Sequence, residues 1–203
     1  MSDVVQLLVF RHGETDWNLN KKFQGHTNIP LNQKGRDQAQ ALRQKLSSMV
    51  LDACLCSDLD RAIETAKIAL AEHSVPYLYS PALRETHLGD VEGQSQIQII
   101  EKYGEDLLVQ WRSIKAEHQS MGFPNGETKV QHLKRLKDYM ETALIANPQF
   151  KRVAVSTHGG SVVRLVHAAD NAPEQAIVIP NCCLYELSFD RTTRIWKYHT
   201  YHE

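Results

Sequence analysis

No apolar run in the sequence approaches the ~20 residues needed to span a bilayer, so no transmembrane segment is expected. The start Met-Ser-Asp leads straight into an apolar stretch without a basic leader, so no secretory signal is expected either. Cysteine is scarce. Cys54-x-Cys56 and Cys182-Cys183 account for all four residues, and neither spacing resembles a disulfide framework or a zinc site. Buried, reduced thiols and a cytoplasmic location are therefore expected. Net charge is nearly absent, with 23 Lys and Arg against 24 Asp and Glu. That balance argues against nucleic-acid wrapping and against charge-driven membrane binding. Trp17 and Trp111 are not part of an interleaved basic and aromatic strip, so they offer no stacking platform for bases. There is no internal repeat, no low-complexity tract, and no linker rich in Pro, Gly or Ser.

What remains is a chain of 203 residues, 42% hydrophobic and 23% charged, with ten histidines. This composition is globular, and the length suits one domain with a core of its own. A chain neutral overall can still hold a strongly positive pocket.

The pattern predicts strands over residues 4–10, 52–56, 77–80 and 151–156, and a terminal hairpin from strands 182–189 and 194–201 joined by Asp190-Arg191-Thr192-Thr193. Helices are expected over 31–49 (Ala39, Leu42, Leu46 and Met49 on one face), from an Asp58 cap to about 71, over 127–146 and over 160–169. In 127–146 the apolar face reads Val130, Leu133, Leu136, Met140 and Leu144. Residues 95–118 read as weakly helical, interrupted by Gly104. The basic cluster Lys134, Arg135 and Lys137 reads as a solvated helix face. Alternating strands and helices imply an α/β fold: a three-layer α/β/α sandwich, its central sheet mostly parallel with one antiparallel strand. The expected domain is 1–203, with 86–130 as a lid or substrate-specificity insertion.

Two strand ends carry chemistry. The first strand ends in Phe10-Arg11-His12-Gly13-Glu14-Thr15, followed by Asn18. The strand at 152–156 ends in Thr157-His158-Gly159-Gly160, just before a helix. Ligands of open α/β sheets bind beyond the carboxyl ends of strands, and helix N-termini favour anions. Arginine offers a fixed cationic fork for phosphate, and histidine is a nucleophile near neutral pH. Two histidines so placed, each followed by glycine, can converge on one anion.

Together these motifs resemble the histidine phosphatase superfamily, also called phosphoglycerate-mutase-like. Further segments match in order: Gln24-Gly25-His26-Thr27-Asn28-Ile29-Pro30-Leu31-Asn32 with Gly35, Ser57-Asp58-Leu59-x-Arg61-Ala62-x-x-Thr65-Ala66, Leu83-Arg84-Glu85-x-x-x-Gly89-x-x-Glu92-Gly93, and Pro124-Asn125-Gly126-Glu127. The resemblance covers nearly the whole chain. It departs at Thr157, where serine is usual, at Asn125, where a second glycine is usual, and at Val91, where an aromatic is common.

The resemblance implies two-step phosphoryl transfer through a phosphohistidine. His12 would be the nucleophile and Glu85 the proton donor and acceptor. Arg11, Asn18, Arg61, protonated His158 and the Gly159 N–H would hold the phosphate. Thr15, Gln24 and Gly25 would touch substrate. Glu92, in the same motif, competes with Glu85 for that role and is otherwise structural; His26 and His87 would flank the site, and Arg84 and Thr86 would orient Glu85 or the substrate. His132 and His167 have no motif support. Two arginines and a protonated histidine can neutralise a phosphoryl group without a metal or cofactor. The stretch 89–100 carries no Lys or Arg with which to grip a mutase's substrate carboxylate, although Lys102, Arg112 and Lys115 follow it. The expected activity is a metal-independent phosphatase acting on a small phosphorylated metabolite. The alternatives are a cofactor-dependent phosphoglycerate mutase and a catalytically silent phospho-ligand-binding protein.

Overall fold

The computed structural model describes residues 3–202; the outermost residues of the expected 1–203 domain lie outside it. Six strands form one sheet: β1 (Val4–Arg11), β2 (Ala53–Ser57), β3 (Tyr77–Ser80), β4 (Arg152–Thr157), β5 (Leu184–Asp190) and β6 (Trp196–His202). Their spatial order is β3-β2-β4-β1-β5-β6. All run parallel except β5, which is antiparallel to both of its neighbours. β1 lies near the middle of this order, and Val5, Leu7, Val9 and Phe10 are fully buried. That is why it reads as a continuous apolar run rather than an alternation.

Seven α-helices are described: α1 (Asp16–Leu19), α2 (Gln33–Leu46), α3 (Asp60–Ala69), α4 (Gln96–Tyr103), α5 (Glu105–Arg112), α6 (Lys129–Ala146) and α7 (Gly159–His167). Alternate strand residues face opposite layers. Val5, Leu7, Val9, Leu55 and Val153 pack with Leu136 and Met140 of α6 and with Val162 and Leu165 of α7. Leu8, Phe10, Cys54, Cys56 and Ala154 pack with Leu42 and Leu46 of α2 and with Ala62 and Ala66 of α3. This is the expected three-layer sandwich. Over 86–130 the chain builds a smaller apolar cluster of its own from Leu88, Val91, Ile99, Leu108 and Phe123, with Trp111 packed against it.

Several local expectations change. Asp58 does not cap α3; Leu59 holds that position without a side-chain cap, and the Asp58 carboxylate takes two 2.7 Å hydrogen bonds from Arg84 instead. α2 begins later than expected because Asn32 caps it, accepting the Gly35 N–H at 2.9 Å. Met49 lies beyond its end. Gly104, at φ +84°, divides the weak helical stretch into α4 and α5. Val130 is exposed, and the buried face of α6 instead includes Lys129 and His132. Cys182 sits at φ +58°, so β5 starts after it. Cys54, Cys56 and Cys183 are buried free thiols, whereas Cys182 is only partly covered.

One close approach fixes the loop after β1 against α2. A Cβ on Gly35 would lie 2.1 Å from the Glu14 carbonyl oxygen, and one on Gly13 2.3 Å from the Gly35 oxygen. Both obstacles are backbone. Gly35→Ala is expected to lower unfolding stability by about 3 kcal/mol, the upper end of overpacking costs. Urea unfolding should show this as a lower midpoint, and an unchanged midpoint would mean that the loop moves aside freely.

Candidate active site

β1 and β4 pair in parallel with Arg11 opposite Thr157. The next residue on each strand is a histidine, so the register itself brings His12 and His158 together. Their ring centroids are 5.2 Å apart. After β1 the chain passes to α2 on one face of the sheet, and after β4 to α7 on the other. The crevice between the two strand ends is thus a point where the winding direction switches, the usual ligand position in such sheets.

His12 is 3% exposed, and its Nδ1 lies 2.7 Å from the Gly13 carbonyl oxygen. A carbonyl can only accept, so Nδ1 carries the proton and Nε2 keeps its lone pair. Burial, then Arg61 and Arg11, hold this imidazole well below the ordinary histidine range. Neutral imidazole with a free Nε2 is the nucleophilic form. Gly13 is itself tied: its N–H donates to Thr65 Oγ1 at 3.0 Å, and Thr65 Oγ1 donates to the Arg61 carbonyl at 2.6 Å.

His158 is the N-cap of α7 and is fully buried, with Nε2 2.8 Å from Ser57 Oγ. Its Nδ1 has no partner among the described residues. Burial, with Arg61 and His12 nearby, drives its pKa well below the usual value. Burial and the Arg61 guanidinium both oppose a proton on this ring, so the expected protonated His158 needs the charge of a phosphate beside it.

Arg61 is fully buried and pairs with no carboxylate among the described residues. Its terminal nitrogens donate to the Thr27 and Gly25 carbonyls, each at 2.8 Å. Burial lowers its pKa to about 10, which still leaves it charged at neutral pH. Arg11 donates to the Ile179 carbonyl. The Nε of each arginine is unpartnered among the described residues. The loop under Arg61 is held by Glu92, whose carboxylate accepts from the N–H groups of His26, Thr27 and Leu88 and from Thr27 Oγ1. Glu92 is the structural carboxylate that the motif implied.

Glu85 is gripped at both oxygens: Oε1 accepts the Thr86 N–H and Oε2 the Gly160 N–H, each at 2.8 Å. Its carbonyl accepts from His26 Nε2 at 2.8 Å and from Arg135 at 3.1 Å. Arg135 also reaches the Ala82 carbonyl at 2.8 Å and pairs with Glu127. It is therefore a brace for the Glu85 segment rather than part of a solvated face. Lys134 and Lys137 do fit that face, pairing with Asp138 and Glu141 one turn along. His132, fully buried, bridges Thr86 Oγ1 at 2.7 Å and Ser161 Oγ at 3.1 Å. No motif signalled Arg135 or His132; their inward direction depends on the phase of α6, which the misread Val130 face obscured.

A cavity of about 470 Å³ opens over these groups. It is lined by Arg11, His12, Asn18, Gln24, Gly25, Arg61, Glu85 and Gly159, among others. Among the described residues Glu85 is the one carboxylate on its wall, which also carries the basic side chains Arg11, Lys21, Lys22, Arg61, Arg112 and Arg164. Of Lys102, Arg112 and Lys115, only Arg112 reaches it. Thr15 does not line it. Fully buried, it caps α1 and donates to Gln24 Oε1 at 3.0 Å, so it positions Gln24 rather than touching the cavity. Asn18 Oδ1 accepts from Thr15, which leaves its amide nitrogen to donate. Among the described residues no cluster of three or more His, Cys, Asp or Glu side chains is placed to hold a metal, and no helix is long and apolar enough to cross a membrane.

Comparison with known proteins agrees with this geometry. Residues 7–201 match the family model of the histidine phosphatase superfamily (branch 1). The 2,3-bisphosphoglycerate-dependent phosphoglycerate mutase 2 of Gloeobacter violaceus is 32% identical over 83% of this chain and 78% of its own. A mycobacterial glucosyl-3-phosphoglycerate phosphatase superposes with a TM-score of 0.82 at 25% identity, over 97% of this chain and 98% of its own. The phosphoglycerate mutase of Bacillus anthracis shares the fold, with a TM-score of 0.85 at 24% identity over 98% and 93% of the two chains.

Proposed function

The chain belongs to the histidine phosphatase superfamily, branch 1, and on that footing we propose that it is a phosphomonoesterase of the cytoplasm. Its substrate is a small phosphorylated metabolite, and the phosphoryl group passes through His12. The observation that carries this reading is the His12 tautomer: Nδ1 is committed to the Gly13 carbonyl, so Nε2 stands free beside unneutralised arginines.

His12 Nε2 forms a bond to phosphorus as the ester oxygen leaves with a proton from Glu85. Water then attacks phosphorus, Glu85 takes its proton, the N–P bond breaks and inorganic phosphate departs. Arg11, Arg61, the Asn18 amide and the Gly159 N–H hold the non-bridging oxygens. Fixed cations aimed at developing charge supply the stabilisation such a transfer needs. With a phosphate on His12, whose ring lies 5.2 Å away, His158 comes under the field of an anion and can take a proton, adding a third positive charge.

Hydrolysis requires water at the phosphoenzyme. The cavity rim carries Lys21 and Lys22, both exposed, so the site is open to solvent on that side. The glucosyl-3-phosphoglycerate phosphatase match over nearly its full length supports the same reading. A mutase is the second reading, favoured by the name of the Gloeobacter relative.

The test uses p-nitrophenyl phosphate, whose leaving group needs no proton. Glu85→Gln should then form the phosphoenzyme in a burst but lose it about 10²- to 10⁴-fold more slowly, the range for a positioned acid–base group. Acid-quenched, labelled protein reads both steps. A panel of phosphate esters from which none is hydrolysed would overturn the phosphatase. Isomerisation of phosphoglycerate outpacing its hydrolysis once bisphosphoglycerate is added would install the mutase instead.

A further inference from the structure

The cavity holds one charged group that the phosphoryl chemistry does not use. Arg164 lies on α7 four residues beyond Gly160, so both share the helix face turned to the cavity. The side chain is 9% exposed. Its guanidinium makes no hydrogen bond and no ion pair among the described residues, and Nε is fully enclosed without a partner. The guanidinium carbon stands 5.2 Å from the centre of the Trp111 ring.

Arginine is rarely buried unpaired, because the loss of hydration is large. Here the surroundings add to that penalty. The Lys129 ammonium also lies over Trp111, at 5.7 Å, and donates to the Gln110 and Ser113 carbonyls at 2.7 Å each. Lys129 is thus satisfied, and Arg164 is not. Burial and the neighbouring Arg164 depress the Lys129 pKa to about 8. Of the nearby carboxylates, Glu127 is engaged by Arg135 and Glu85 by two amides. A cation–π contact fixes where the guanidinium lies without neutralising it. A planar donor fork, held in place on an open cavity wall and lacking an acceptor, is built to receive an anion.

We propose that Arg164, braced by Trp111, is a second anion subsite, and that the preferred substrate carries a second anionic group, a carboxylate or a second phosphate, besides the phosphate transferred to His12. This rests on the phosphatase reading for the first phosphate. It also gives the 86–130 segment a role, since Trp111 comes from α5 and the neighbouring wall from Arg112, Ser113 and Ile114. That segment is then a lid whose aromatic residue sets the specificity cation.

The test compares ω-phosphooxy-alkanoates of graded length with the alkyl phosphates of equal length. A parallel arm compares α,ω-alkanediol bisphosphates with the same alkyl phosphates. Wild-type protein should favour at least one doubly anionic series by tenfold or more in kcat/KM, and the winning arm names the anion. Arg164→Met should erase that preference while changing the plain alkyl phosphates by less than threefold. Arg164→Lys, which keeps the charge, should retain part of it and serves if the methionine variant does not fold. Equal losses on both members of a pair, or no wild-type preference at any length, would overturn the subsite. Calorimetric binding of the same compounds to His12→Ala separates the two proposals. An Arg164-dependent preference in binding without wild-type turnover keeps the subsite and removes the phosphatase; turnover without that preference does the reverse.

Discussion

His12→Ala is expected to lower hydrolysis of every phosphate ester the protein accepts by about 10⁴-fold or more, the scale at which removing a covalent nucleophile acts. No neighbour can substitute. His158 is the other imidazole at the strand ends, but its Nε2 is spent on Ser57 and its ring does not line the cavity. His167 lines the cavity from the far end of α7, two turns beyond the Gly160 amide that holds Glu85. The acid-labile phosphoenzyme should vanish in the variant. The alanine leaves β1 and its pairing untouched, so the urea midpoint should stay near that of the wild type. Retained turnover with no covalent adduct in either protein would point to direct attack by water, and the role given to Nε2 would fall.

A second large effect is expected on stability as pH falls. His12, His132 and His158 are all buried, and burial, reinforced by nearby arginines, holds each pKa well below the ordinary histidine value. The folded protein keeps these rings neutral, while the unfolded chain protonates them near pH 6.5. Below that pH the unfolded state therefore binds more protons, and stability drops. The contribution is whole above about pH 6.5 and drains away as pH falls toward the depressed folded values. Each ring contributes a slope of about 1.4 kcal/mol per pH unit, so the three together approach about 4 kcal/mol per unit. That is a large share of the 5–15 kcal/mol typical of a domain. Carboxylates with lowered pKa values, such as Asp58 and Glu92, act only below the window considered. Urea unfolding at pH 7.5, 6.5 and 5.5 measures the slope. A flat profile across that range would mean that the rings are already charged in the fold or open to water.

How much of this was readable beforehand depended on the kind of signal. Strand ends are short and local, so Arg11-His12-Gly13 and His158-Gly159-Gly160 declared themselves, and parallel register did the rest. Arg61 and Glu85 were reachable only through motif resemblance, since nothing local distinguishes a buried helical arginine from a surface one. Asp58 and Glu64, the carboxylates three residues from Arg61 in sequence, pair with Arg84 and Arg36 instead. Thr15 belongs to the first motif and is expected at the substrate, yet its hydroxyl faces Gln24 and the α1 cap. Arg135, His132 and Arg164 were invisible for a common reason. Each acts through the rotational phase of a helix and through packing against a segment distant in sequence, and a charged residue in a helix reads by default as solvated. The charge arithmetic was similarly blunt: near-neutrality over the chain conceals a wall with one carboxylate.

Glu92 has a consequence for turnover itself. By binding only amides and a hydroxyl, it secures the Gly25–Thr27 loop without ever meeting the guanidinium that the loop supports. Mechanical support thus comes without an ion pair: Glu92 and Glu85 favour the charged Arg61 only through space, and its Nε has no partner among the described residues. Such a trap responds to charge and shape, which the reacting ester shares with the inorganic phosphate it becomes. If the protein is the phosphatase proposed, inorganic phosphate is therefore expected to compete with the ester for the same cations.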